Sequence, residues 1–391
     1  MANAIPAIVT PEVLRWAREL DSISIEDIAK KIKVTPDRVQ QWENGEAYPT
    51  LKQAKELAKQ YRVPFVYFFL PDTPRKKKRL EKTDYRTFGN IGDQFNMTRE
   101  LRWLLRDVED RRDTMLLLYK EDNRVPCSFP IQIDKTASEQ AIVEAVRNLL
   151  DLTIEKQRTF RKAGKALAYC IRELEKYDVL VFQASKIDPK EMRGLSISYE
   201  EMPIIVLNRK DEPSSRLFTL CHELVHIVTR TSGICNNTSL IEATSQNEFE
   251  LWCNRIAGQI LVPIDQIVSH TAITQIKKFG FDDSYVNAMA RDFAVSREVI
   301  LHRLWDIKLI DERFYYDTLH RYSEEYQAYK ANKKKDGFLP PAMDTGTQVG
   351  KLYARTVLSA FHTDLISPRD ASGFLLNLKV QSFSKLEGWC F

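Results

Sequence analysis

The sequence predicts a mainly α chain with a small β-sheet, an α+β fold, on three observations. Apolar residues recur at helical spacing along much of the chain, from Leu14, Trp16 and Ala17 to Val357 and Leu358. Helix-starting residues stand before such stretches: Ser24, Thr35, and Pro36 at a first helical position. Strand-like sequence is short, as in Val179-Leu180-Val181-Phe182. At 391 residues, 43% hydrophobic and 29% charged, the chain is long enough for two or three globular domains.

Composition narrows the setting. The six cysteines include no CxxC pair and read as isolated reduced thiols, the pattern of a cytoplasmic protein. Met1 to Thr10 has no basic stretch followed by an apolar core, and no segment reaches the roughly 18 apolar residues of a membrane helix. No membrane partner is expected. A net charge of +4 is too mild to argue for nucleic acid by itself.

The first elements are helical. Pro11 to Arg18 is a short helix; Ser24 caps a second, with Glu26 and Asp27 in its acidic first turn and Ile28, Ala29 and Ile32 on its apolar face. After the turn at Lys33-Val34, Thr35 caps a third helix from Pro36 to Trp42, which Glu43-Asn44-Gly45 ends. A fourth runs from Pro49-Thr50-Leu51 to Tyr61, and the apolar cluster Phe65 to Leu70 reads as the last helix of this core. Residues 10–70 thereby resemble the Cro/repressor-type (XRE-like) helix-turn-helix domain, carried by Ile28-Ala29, Val34-Thr35, Val39 and Trp42-Glu43-Asn44-Gly45. The resemblance implies that the third helix lies in a DNA major groove. Asp37, Arg38 and Gln41 would then face base edges, Arg38 suiting guanine and Gln41 adenine. The chain departs from the family at Ile25, where a phosphate-holding Gln is frequent, and at Pro36-Asp37, where Asp37 would repel phosphate. A protein-docking module of the same fold is the alternative.

Residues 71–160 follow as linker and brace. Pro71 to Pro74 leads into the basic run Arg75 to Arg79, either a phosphate-backbone contact or a solvated linker. Arg99 to Lys120 is a long charged helix with Leu101, Leu104, Leu105 and Val108, and Thr136 to Leu150 is another. No chemistry is read from them.

His222-Glu223-Leu224-Val225-His226 is the most informative stretch. Residues four apart on a helix stand on one face, so two imidazoles can grip one metal ion while Glu223 takes a proton from an activated water. The apolar flanks, Phe218 to Cys221 and Ile227-Val228, make unligated polar groups costly there. The bland alternative is one core histidine and one surface histidine. A third ligand is needed. On the downstream helix ending at Pro263, Glu250 shares a face with Cys253, Asn254 and Ala257 and is the choice. Glu248 points roughly 160° away, and Glu242 lies in a polar loop. Asn254 either hydrogen-bonds within the site or packs between the helices. Cys221 reads as a buried structural thiol rather than a nucleophile. Tyr199, His270 and Arg255 are open as oxyanion partners.

Residues 164–263 resemble the ImmA/IrrE-type metallopeptidases, which have a gluzincin-like site. The carriers, in order, are Gly164 to Val181, Arg193-Gly194-Leu195-Ser196, Pro203 to Asn208, Arg216 to Leu220 with the HELVH helix, and the Glu250 helix closing on Leu261-Val262-Pro263. Asp84-Tyr85-Arg86-Thr87 resembles a short motif of longer relatives. The resemblance implies His222, His226 and Glu250 as metal ligands and Glu223 as general base. It departs at Cys221, where a small residue is usual, and at Val225, where Gly is. Zinc is the default ion for this ligand set, and manganese is feasible.

The helix–turn–helix cadence of Tyr285 to Ile310 fits a subdomain that follows the metal site in that family, here read as structural or substrate-docking. Lys333 to Asp336 is a basic surface turn. From Gly346 on, Leu352, Val357-Leu358 and Leu375-Leu376 are expected anchors, and Trp389-Cys390-Phe391 an apolar tip that packs. The expected domains are 10–70, helix-turn-helix and all-α; 71–160, brace; 161–270, metallopeptidase core; 271–330, helix-turn-helix-like subdomain; and 331–391, helical C-terminal region. Relatives cleave helix-turn-helix repressors and relieve repression in stress or mobile-element responses. The expectation is a transcription-linked zinc metalloendopeptidase acting on a regulatory protein. The alternative is a DNA-binding antitoxin of a toxin–antitoxin pair with a structural or vestigial metal site.

Overall fold

A computed structural model describes residues 6–20, 23–73, 98–134, 136–231, 233–235, 248–332 and 339–390. The chain divides into two compact units, residues 1–84 with 96–103, and residues 85–95 with 104–391. Glu242, the runs Arg75–Arg79, Asp84–Thr87 and Lys333–Asp336, and Phe391 lie outside the described residues.

The first unit is built from α1 (Pro11–Glu19), α2 (Ile25–Ile32), α3 (Pro36–Glu43) and α4 (Leu51–Gln60). Their ends follow from local chemistry. Ser24 Oγ accepts the Asp27 N–H and Thr35 Oγ1 the Arg38 N–H, while Thr50 and Gln53 close a reciprocal capping box. Lys33 ends α2 in the left-handed region at φ 59°. Val13, Leu14, Ala17, Ile28, Val39, Trp42, Leu57 and Phe68 form one buried core. The Phe65–Leu70 cluster is not a full α-helix face: Phe65–Phe69 is a single 3-10 stretch that buries Phe68 and exposes Val66 and Phe69. A tighter turn of three residues cannot bring every ring of such a run inward.

In the second unit the helices are α5 (Arg99–Glu121, from Leu104 on), α6 (Glu139–Leu149), α7 (Ile154–Phe160), α8 (Ala163–Glu175), α9 (Pro213–Val228) and α10 (Glu248–Leu261). They are followed by α11 (Ile264–Val268), α12 (Thr271–Phe279), α13 (Asp283–Phe293), α14 (Arg297–Asp306) and α15 (Glu312–Asn332). The C-terminal set is α16 (Pro341–Val349), α17 (Lys351–His362), α18 (Pro368–Phe374) and α19 (Phe383–Cys390). The sheet comprises β1 (Leu180–Ala184), β2 (Gly194–Ile197), β3 (Ile204–Asn208) and β4 (Gly233–Cys235), in the order β1-β3-β2-β4. β1 runs parallel to β3, and β2 antiparallel to both β3 and β4.

Strand alternation sorts the sheet into two faces. Val181, Ile205 and Leu207 join the core made with α8, α9 and α10. Phe182 points the other way, its ring edge-on to Tyr353 of α17 and beneath the Arg111 guanidinium. β3 is buried along its whole length, as a strand covered on both faces must be. The C-terminal helices join this layer: Gly350, at φ 76°, lets the α16–α17 junction approach the Val181 carbonyl so closely that a Cβ would sit 2.5 Å from it. Val357, Leu358 and Leu375 are buried as expected, but Leu376 is exposed. It follows the end of α18 at φ 57°, and that left-handed step turns its side chain away from the core.

Candidate metal centre

After the polar first turn Ser214-Ser215-Arg216, the α9 sequence is largely apolar, and Leu217 through Val228 are buried without a break. It packs against α8, α10, β2 and β3. Within it, His222 is 1% exposed, Glu223 0% and His226 2%. Three polar side chains so deep in a helix demand partners.

The helical repeat and α10 supply them. His222 Nε2 and His226 Nε2 stand 3.1 Å apart. The Glu250 carboxylate lies across both, with Oε2 3.1 Å from His222 Nε2 and Oε1 3.5 Å from His226 Nε2. One ligand atom from each residue falls within 4.8 Å of the others. Tetrahedral ligation at about 2.0–2.1 Å separates ligand atoms by roughly 3.3 Å, and the observed separations bracket that value. Two nitrogens and a carboxylate oxygen also suit a borderline divalent cation such as zinc. The residues therefore fit such an ion. Burial pushes the Glu250 carboxyl up, but hydrogen bonds and charge from both histidines outweigh it and hold it well below the usual range.

Glu223 is placed differently. Burial raises its pKa, opposed by the two histidines and by the Ser196 hydroxyl, which donates to Oε2 at 2.7 Å. The other oxygen, Oε1, is buried with no hydrogen-bond partner. Space for it comes from Gly194: a Cβ there would lie 2.6 Å from Glu223 Oε1 and 2.4 Å from Thr219 Cγ2. Gly194 and Ser196 alternate along β2 and share the face toward α9. Neither was assigned a role from sequence. The legible trace was two small or polar residues at a two-residue interval inside an otherwise apolar strand.

The surroundings resolve other expectations. Phe249 sets its ring edge against His226 and stacks on Trp252. Asn254 is buried with Oδ1 unpartnered. Cys221 is fully buried, and burial raises its thiol pKa well above the ordinary value, as expected of a packed thiol. Arg255 is directed to Glu139 of α6 at 3.2 Å, and His270 caps α12 and faces Asp292. Tyr199 lies under the Arg112 guanidinium.

In the first unit, α3 exposes Asp37 and Arg38 and leaves Gln41 half-buried. Arg38 Nη1 donates to Gln41 Oε1 at 2.9 Å, so the two side chains form one polar surface. The other side of α3 carries a feature that sequence reading missed. Glu43, read only as part of the helix end, is 2% exposed and takes a bidentate bond from Arg18 of α1, at 2.7 and 2.8 Å.

A buried helix with this histidine–glutamate set, in one chain with a helix-turn-helix unit, marks a peptidase-type domain joined to a regulator-type domain. Comparison with known families agrees. Residues 174–305 match the peptidase family described as the IrrE N-terminal-like domain, and residues 14–68 match the helix-turn-helix family. The chain thus carries an XRE-type helix-turn-helix domain and an IrrE/ImmA-like peptidase domain. The peptidase match runs through α13 and most of α14, beyond the 164–263 stretch that first carried the resemblance. No curated protein shows significant similarity to the chain. Among the described residues, no helix is long and apolar enough to cross a membrane.

Proposed function

We propose that the second unit is a zinc metalloendopeptidase acting on a regulatory protein, and that the first unit brings it to DNA. The observation that carries this reading is the convergence of His222, His226 and Glu250 beside the Glu223 carboxylate, which has one oxygen left unpartnered. The three side chains would hold the ion, which supplies Lewis-acid polarisation of a carbonyl and lowers the pKa of water toward neutrality. Glu223 Oε1 accepts the proton of the attacking water, with Ser196 fixing the carboxylate through Oε2. The same oxygen then hands the proton to the departing amine nitrogen. The apolar burial of α9 excludes competing water from the base. On this reading manganese is a feasible substitute, and the substrate is a repressor-like protein, since the enzyme is joined to a helix-turn-helix unit. On the DNA side, Arg38 and Gln41 face the bases, with Asp37 at the edge.

The test compares wild type with His222→Ala, Glu250→Ala and Glu223→Gln. Wild type is expected to hold about one zinc per chain, lost from the first two variants while circular dichroism shows retained fold. Glu223→Gln is expected to keep zinc and lose cleavage by roughly two to four orders of magnitude, read as new protein N-termini in cells expressing each form. Cleavage that persists in Glu223→Gln would sink the proposal.

A further inference from the structure

We propose that Thr231 is a positioning residue for the metal centre: it holds His226 as the Nδ1–H tautomer, so that Nε2 presents its lone pair to the ion. The inference rests on the metal-site reading above.

The C-terminus of α9 builds the arrangement. Arg230 adopts φ 51°, a left-handed step that returns the chain toward the helix. The Arg230 N–H donates to the Ile227 carbonyl at 3.0 Å and the Thr231 N–H to the His226 carbonyl at 2.8 Å. That pair of bonds is a Schellman closure, and it places the Thr231 side chain over the imidazole it has just passed. Thr231 Oγ1 comes to rest 3.0 Å from His226 Nδ1.

The assignment of the donor rests on where else the hydroxyl proton can go. Thr231 has a single hydroxyl proton. Acceptors for it stand away from the ring: the His226 carbonyl and Thr229 Oγ1, each at 3.2 Å. Thr229 spends its own proton on the Val225 carbonyl at 2.8 Å, leaving its oxygen free to accept. With those acceptors in reach, the Thr231 oxygen is able to accept, and in the metal-bound state proposed here, where Nε2 no longer donates to Glu250, His226 Nδ1 is the donor. A neutral imidazole with its proton on Nδ1 has none on Nε2, which is the nitrogen 3.1 Å from His222 Nε2. The threonine is itself held, since Ser198 Oγ donates to the Thr231 carbonyl at 2.8 Å. A histidine ligand ordinarily gives its second N–H to an oxygen, and losing that oxygen weakens metal binding about 10- to 100-fold.

The experiment is zinc titration of the apo full-length chain against a chelating dye, for wild type, Thr231→Val and Thr231→Ser. Valine keeps the shape and removes the acceptor; serine keeps the acceptor. The expected result is a Kd about 10- to 100-fold weaker for Thr231→Val and within about threefold of wild type for Thr231→Ser. A Thr231→Val affinity equal to wild type overturns the inference, and so does a Thr231→Ser variant as weak as Thr231→Val. Wild type that binds no zinc overturns the metal-site reading itself, and this inference with it. Should Thr231→Val fail to fold, the zinc-loaded wild type answers directly by 15N NMR of His226. A protonated Nδ1 with metal-bound Nε2 supports the assignment; metal on Nδ1 ends it.

Discussion

Gly194 is where the site has least freedom. Its missing Cβ is the space that the Glu223 carboxylate and Thr219 methyl occupy, so Gly194→Ala forces a side chain into atoms 2.4 and 2.6 Å away. Overpacking of that kind costs about 1–3 kcal/mol. Here a displaced atom belongs to Glu223, the proposed base, so cleavage is expected to fall much further than stability. The proposed ligands sit on α9 and α10 rather than on β2, so zinc content should stay near wild type. Urea denaturation, zinc analysis and a cleavage assay on one preparation separate these effects; zinc lost together with activity would refute the assignment. The same residues show what a sequence discloses. His222, Glu223 and His226 were legible because helical spacing alone puts them together, and Glu250 because its helix has one apolar face. Ser196, Gly194 and Thr231 were not, since their roles depend on strand pairing and on a left-handed step at Arg230, where a non-glycine residue gives no warning.

Helix α3 depends on α1 for its placement, through Arg18 and the buried Glu43 carboxylate. Removing one partner of a buried, hydrogen-bonded pair costs about 3–5 kcal/mol, and without Arg18 the Glu43 carboxylate would keep only the longer Arg15 contact at 3.8 Å. Arg38, exposed on the opposite side, carries no comparable structural load. The two arginines should therefore part company. Arg18→Met is expected to unfold the first unit early, visible as fast amide exchange in α1 and α3. Arg38→Ala should leave exchange unchanged while weakening DNA binding and shallowing its salt dependence. Measured on DNA from upstream of the protein's own gene, equal affinity for wild type and Arg38→Ala would favour protein docking over base reading. Helix boundaries here were well signposted, because Ser24, Thr35 and Thr50 each cap the helix they precede. The Glu43 pairing was hidden because a charged residue at a helix end ordinarily reads as solvated.

Two units with separate cores imply that a ligand of one need not steady the other. The second unit draws its candidate ligands from α9 and α10, which share one buried core with α6, α8, α13 and α14. An ion bound there is bound by the folded core, and stabilises it by RT ln(1 + [L]/Kd), about 2.7 kcal/mol at a hundredfold excess over Kd. The first unit has none of the described ligand cluster and should gain nothing. Heating the full chain with zinc and with chelator is therefore expected to shift the transition reported by the sheet and α9, and to leave that of α1–α4 in place. Hydrogen exchange followed by mass spectrometry assigns each transition to its segment. If zinc protected α1–α4 equally, the two cores would have to melt as one cooperative body, and the helix-turn-helix unit could then sense the metal state of the peptidase. If it protected only the second unit, metal loading would govern the peptidase without altering the fold that faces DNA.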